Sequence, residues 1–340
     1  MKKSLIALAV AGTIAAPAAF AATANVDIYG IMNIAIQDTD ANNVDLDVVD
    51  NVSRIGFKGS EDLGGGLKAI WQIEQGLNAS TADQTAFGGK GLRNTFVGLS
   101  GGFGTALIGR HDTPYKLSTV KYDIFGDTIA DYNGGAGSGA APLDGVALID
   151  AGQDARASNA IAYISPTWSG FHFAAAVVTS MDQLNSGDTT DAYSLAGMYA
   201  NGPLTVDAGY QVVKSAGLLG ADDTKAMKIG AGYTFGDFKV GVVYEDVSDY
   251  DGFNDRDSVL VSGAYNMGAI TLKALYGQAD LENAGAGGQD LDQDLWAIGM
   301  DYALSKRTTA YVVYGNGDDD SKATNSGDVS GWNIGMKHSF

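Results

Sequence analysis

The stretch GWNIGMKHSF, residues 331–340, decides the fold. Trp332, Ile334, Met336 and Phe340 fall on one parity, and Asn333, Gly335, Lys337 and Ser339 on the other. A period of two is the mark of a strand with one apolar and one wet face. A soluble sheet has such strands, and so does a sheet with lipid on one side and water on the other. The neighbouring segments choose between them.

Working outward, the same alternation recurs. NVDIYGIMNIAI places Val26, Ile28, Met32, Ile34 and Ile36 on one face. LKAIWQIEQ sets Leu67, Ala69, Trp71 and Ile73 against Lys68, Gln72 and Glu74. FKVGVVYED sets Phe238, Val240, Val242 and Tyr244 against Lys239 and Glu245, and ITLKALYGQ repeats the pattern from Ile270 to Tyr276. Seven connections are short: 62–66, 100–104, 166–170, 201–203, 236–237, 267–268 and 304–306. Eight are long and polar: 38–50, 77–92, 111–157, 181–191, 215–223, 247–256, 281–289 and 318–327. The two kinds alternate, so fifteen connections join sixteen strands. Short turns on one side and long loops on the other describe a transmembrane β-barrel. Aromatic residues near strand ends, namely Tyr29, Trp71, Tyr233, Tyr244, Trp296, Tyr302 and Trp332, are expected on the outward parity as headgroup girdles.

Composition agrees. The 340 residues include 47 Gly, 5 Pro and no Cys. Past the first residues no segment has the ~20 apolar positions of a spanning helix, so membrane residence requires a closed barrel with no unpaired sheet edge. The start, MKKSLIALAVAGTIAAPAAFAATANV, reads as a basic n-region, an apolar h-region and an Ala19-Phe20-Ala21 cleavage site. Residues 1–21 are therefore expected to be a signal peptide and 22–340 the barrel domain. Losing Lys2 and Lys3 takes the net charge from −19 to −21. A nucleic-acid partner is excluded by that sign. The same charge argues for cation attraction at the channel mouths, which arginines deeper inside can reverse.

The connection 111–157 far exceeds ordinary loop lengths and reads as functional. A sixteen-stranded barrel has an aqueous lumen, and a loop folded into it would narrow it. Arg54, Arg93, Arg110 and Arg156 flank this region in a chain with only 21 basic residues. Among the loop acids, Asp123, Asp127 and Asp131 are the candidates to face them. Charges of opposite sign across a narrow gap select polar and ionic solutes. Arg93 reads equally as a plain lumen or interface residue. Enzymatic readings have little to stand on: there are three histidines, His111, His172 and His338, no serine at a matching parity, and no zinc ligand set. No cofactor or metal is expected.

Several segments together resemble the general porins of Gram-negative outer membranes, above all the betaproteobacterial group. They are SRIGFKGSEDLGGGLKAIWQIE (53–74), RNTFVGLSGGFGTALIGR (93–110), SNAIAYISPTWSGF (158–171), DYALSKRTTAYVVYG (301–315) and GMKHSF (335–340). The resemblance covers essentially the whole mature chain. It implies an all-β, sixteen-stranded antiparallel barrel whose third loop folds inward, assembled as a homotrimer in the outer membrane among lipid and lipopolysaccharide. The implied function is passive diffusion of small hydrophilic solutes and ions. The resemblance also carries Arg54, Arg110 and Arg156 onto the positive side of the constriction, and Phe340 onto the residue that the barrel assembly machinery reads. A solute-specific sugar or anion channel and a plugged adhesin or structural barrel are the alternatives.

Overall fold

The computed structural model describes residues 25–40, 46–80, 90–132, 153–179, 190–214, 222–250, 254–282, 290–319 and 329–340. The expected signal peptide, residues 1–21, lies outside them, as do the tips of most long loops. The strands are β1 (Asn25–Thr39), β2 (Asp47–Asp50), β3 (Arg54–Gly64), β4 (Leu67–Gly76), β5 (Thr95–Gly101) and β6 (Gly104–Asp112). After the short helix α1 (Pro114–Thr119) and a 3-10 turn (Val120–Tyr122) come β7 (Arg156–Ile164), β8 (Phe171–Val178), β9 (Ala192–Asn201), β10 (Leu204–Val213), β11 (Thr224–Phe235) and β12 (Phe238–Tyr250). The last five are β13 (Asn254–Met267), β14 (Ile270–Glu282), β15 (Leu291–Ala303), β16 (Thr308–Asp319) and β17 (Val329–Ser339).

Each strand pairs antiparallel with its neighbour in sequence, and β17 pairs with β1. Both β2 and β3 pair with β1, so these two segments form one stave and the sheet closes as a sixteen-stranded antiparallel barrel. Closure leaves no edge of unpaired N–H and C=O groups. The seam ends on Phe340, whose N–H donates to Gly30 O and whose carbonyl accepts from Gly30 N, both at 3.1 Å. All seven short connections are tight turns, and Gly236 and Gly268 supply the positive φ (61° and 65°) that two of them need. The long-loop side differs from the alternation reading at several strand ends, among them the expected connection 38–50, which contains β2. On the same side β12 runs on to Tyr250 and β13 resumes at Asn254, because charged and polar residues keep pairing above the apolar belt.

Burial separates the two parities. Val261 (52% exposed), Ile298 (54%) and Ile334 (53%) face outward, whereas Lys228, Glu245 and Asn333 are fully covered inside. Tyr233, Tyr244, Trp296 and Tyr302 stand on the exposed face. Tyr29 does not. It sits on the parity opposite Ile28, its hydroxyl donates to Glu74 Oε2 at 2.8 Å, and its ring covers Gly56 so closely that a Cβ there would lie 2.2 Å from Cζ. An odd-numbered residue in a strand whose even positions are apolar belongs to the lumen.

The core lies inside the barrel, against one wall. Tyr122, Phe125, Ile129, Ala130 and Tyr132 of the connection between β6 and β7 pack on inward-facing Val243, Leu260, Leu275, Leu295 and Val313. Tyr122 enters a recess left by Gly230, Gly232 and Gly241, where a Cβ would approach the ring to 2.4–2.9 Å. Its hydroxyl donates to Asp207 Oδ2 at 2.5 Å, and burial together with that carboxylate pushes its own ionisation upward. Helix α1 starts with Thr113 capping Lys116 N at 3.3 Å and rests on β9 and β10.

Candidate functional site

With one wall covered by the loop segment, free space remains against the other. A cavity of about 780 Å³ is bordered by Arg54, Arg93, Arg110 and Arg156 and by Asp123, Asp127 and Asp131. All seven residues that the sequence suggests for the constriction therefore meet at one cavity, but they do different things.

Arg54 opens β3 just after a bulge. Between Ile34↔Asp50 and Ile31↔Arg54 the stave carries one residue more than β1, and Val52 absorbs it with φ 64°. A β-branched residue in the left-handed region is strained and needs its surroundings to hold it. The bulge aims the guanidinium inward: Nη1 donates to Val52 O at 3.1 Å and to Asp127 Oδ2 at 3.2 Å. Lys337 Nζ approaches the same carboxylate at 3.6 Å. A second irregularity lies between Gly109 and His111, where β7 carries the extra residue, Asn159 (φ 55°). Beside it Arg110 donates from Nε to Leu92 O at 2.8 Å and from Nη1 to Ser158 Oγ at 2.6 Å. Among the described residues Arg110 has no carboxylate partner. Arg93 meets Glu74 at 2.5 Å, and Arg156 meets Asp112 Oδ1 at 3.0 Å. Asn94 ties the latter pair together, accepting from Arg156 Nε and donating to Asp112 Oδ2, each at 2.8 Å.

The three aspartates also divide. Asp127 alone reaches an arginine. Asp123 Oδ1 accepts from Phe125 N and Asp131 Oδ2 from Asp127 N, both at 3.0 Å, so these two carboxyls brace the tip that presents Asp127. Burial raises the Asp123 ionisation well above the usual carboxylate range, and the adjacent, hydrogen-bonded Asp131 and then Asp127 add to it. A carboxyl with a raised folded-state value stabilises the tip fully below about pH 4, and that stabilisation fades as pH rises through the raised value. Rising pH is accordingly expected to loosen the tip. Open-channel current noise should climb with pH in the natural protein and stay flat in Asp123→Asn, whose amide donates at every pH. A flat profile in both would refute the raised ionisation of Asp123.

Sequence reasoning missed Lys273, which pairs with Asp301 at 2.9 Å, as well as Lys337, Lys116 and Asp301, and passed over the loop acids Asp112 and Asp154, all on the cavity border. The lining holds seven basic and six acidic side chains in a chain whose net charge is −19. Strand parity could have found both lysines, since Lys273 and Lys337 lie on the wet face.

A family model described as Gram-negative porin matches residues 5–338. The outer membrane porin protein 32 of Delftia acidovorans is 32% identical over 333 residues, covering 93% of this chain and 88% of that one. Among solved structures, an anion-selective porin from Comamonas acidovorans superposes with a TM-score of 0.76 at 24% identity, covering 93% of this chain and all of the other. OmpT of Vibrio cholerae in its trimer form gives 0.68 at 20% identity, covering 93% and 99%.

Proposed function

Since this chain belongs to the Gram-negative porin family and forms a passive diffusion channel in the outer membrane, we propose that its constriction favours small anions over cations. Proteins of this family are channels, not enzymes, and the permeants are small hydrophilic solutes and ions. The observation that carries the anion reading is the uneven pairing at the cavity. Arg54 is balanced by Asp127, Arg93 by Glu74 and Arg156 by Asp112, while Arg110 offers its free guanidinium edge to the lumen. A local excess of positive charge in a narrow, water-filled passage outweighs a negative exterior, because exposed charges beyond about 10 Å are screened at 0.1 M salt. The description of the Comamonas relative as anion-selective supports the same sign.

Reversal potentials across planar bilayers in a salt gradient test this. The natural protein should prefer chloride, Arg110→Ala and Arg54→Ala should shift the ratio toward the cation, and Asp127→Asn should shift it toward chloride. A cation-preferring channel insensitive to Arg110→Ala would defeat the assignment.

The working unit in this reading is a homotrimer, as in the trimer form of OmpT. Residues 1–21 act as the export leader, and Phe340, completing the seam against Gly30, serves as the assembly signal for the barrel assembly machinery. The outer rim meets lipid and lipopolysaccharide.

A further inference from the structure

We propose that the buried chain Asn51–Tyr311–Asn33 is a positioning device that sets the selective gap between Arg54 and Asp127. This inference rests on the reading of that pair as part of the filter. Tyr311 of β16 points into the barrel and is 6% exposed. Its hydroxyl accepts from Asn51 Nδ2 at 2.9 Å and donates to Asn33 Oδ1 at 2.8 Å. Asn33 Nδ2 in turn donates to the backbone carbonyl of Asp127 at 2.9 Å. Asn33 and Asn51 are each 1% exposed, so these bonds do not compete with water.

The two ends of the chain are the two sides of the gap. At one end Asn51 N donates to Asn33 O at 2.8 Å, and the next residue, Val52, offers its carbonyl to Arg54. At the other end stands Asp127. Both Val52 and Asp127 have non-glycine backbones at positive φ, 64° and 61°. Such conformations persist only where surrounding contacts over-determine them. The direction of the chain is fixed as well. The tyrosine has one hydroxyl proton, which goes to Asn33, and the Asn33 amide, its oxygen taken up by that proton, turns its NH2 group toward Asp127 O and donates one of its two N–H groups there. Gly335 keeps the ring flat against the wall, since a Cβ there would lie 2.3 Å from Tyr311 Cζ.

None of the three side chains carries charge. A change that removes one hydroxyl therefore adds and removes no charge at the filter, and a shift in ion preference that vanishes in the Asp127→Asn background reports movement of Asp127 relative to Arg54. Losing one net hydrogen bond shifts the ratio of held to released tip about fivefold. The test uses full-length protein in planar bilayers, reading reversal potential and open-channel noise, with trimer heat resistance as the control for folding. Tyr311→Phe should move the reversal potential in the same direction as Asp127→Asn and raise the noise, with heat resistance retained. Combined with Asp127→Asn, it should move the reversal potential no further. Asn51→Ala, which removes the outer link only, should act in the same direction and supplies the comparison should Tyr311→Phe fail to assemble. A natural reversal potential in both variants, while Asp127→Asn shifts it, overturns the device. So does an equal shift in the Asp127→Asn background. If Asp127→Asn itself shifts nothing, the filter reading fails and takes this inference with it.

Discussion

Val261→Lys is expected to abolish accumulation of the folded barrel, whereas Thr271→Lys is expected to assemble normally. The two sites belong to adjacent strands, β13 and β14, and differ in which solvent they face. Val261 pairs with Val242 and Tyr276 on the outward parity and is 52% exposed, with apolar neighbours on every side. A lysine at the bilayer midplane of such a barrel costs about 2–4 kcal/mol, because its ammonium has neither water nor counter-charge within reach. Thr271 faces the lumen, opposite Asp301 and beside Asn266, so a lysine there finds water and a carboxylate. Stability of a single barrel is modest, so a few kcal/mol is a large part of it. Heat-modifiable migration of membrane extracts reads both variants. Equal yields of the two would mean that the exposed parity does not meet hydrocarbon.

The architecture was legible because period-two alternation records the two solvents residue by residue. The seven short turns lie where the breaks in alternation put them, and Lys58, Gln72 and Glu74 share the inner face that alternation gave them. Tyr29 was misplaced by its residue type, since girdle tyrosines are common, although its odd number in an even-apolar strand pointed inward. The docking footprint of the loop segment also had a signal. Val259-Leu260-Val261 and Val312-Val313 break the alternation with apolar residues on the wet parity. An apolar lumen residue needs a cover, and Phe125 and Ile129 provide it.

The filter was legible as a set of charged residues but not as a set of pairs. Nothing in the spacing of Asp123, Asp127 and Asp131 says that the middle one reaches Arg54 while the outer two brace its backbone. That division comes from the reversal of the chain at Asp127, a left-handed residue that sequence does not mark as such. The bulges that aim Arg54 and Arg110 were hidden for the same reason. A one-residue insertion in a stave shows only as a slipped register against its partner, and the partner strand is known only once the barrel has closed.

Lys228→Met should yield a barrel that still inserts but conducts more, with larger current fluctuations and a protease-sensitive third loop. Lys228 of β11 is fully buried, ion-paired with Asp154, and stands 4.1 Å from the centre of the Tyr115 ring. Tyr115 leaves β6 on the outgoing stem of the loop and donates from its hydroxyl to Glu245 Oε1 at 2.6 Å. Asp154 lies on the returning stem, where Gln153 O accepts from Gln211 Nε2 at 3.0 Å. One ammonium therefore clasps both stems to the wall. Removing one partner of a buried ion pair costs about 3–5 kcal/mol, since the remaining charge has lost both water and its counter-ion. The closed ladder of backbone bonds does not depend on this lysine, so the cheaper response is for the stems to lift and let Asp154 hydrate. Replacing the ionic cluster as a whole avoids the stranded charge, because buried pairs exchanged for apolar groups of similar volume are often neutral or stabilising. Lys228→Met combined with Asp154→Leu and Glu245→Gln is expected to recover the natural conductance, the glutamine still accepting from Tyr115. A single Lys228→Met channel with natural conductance and an intact loop would show that the stems are held by their apolar contacts alone.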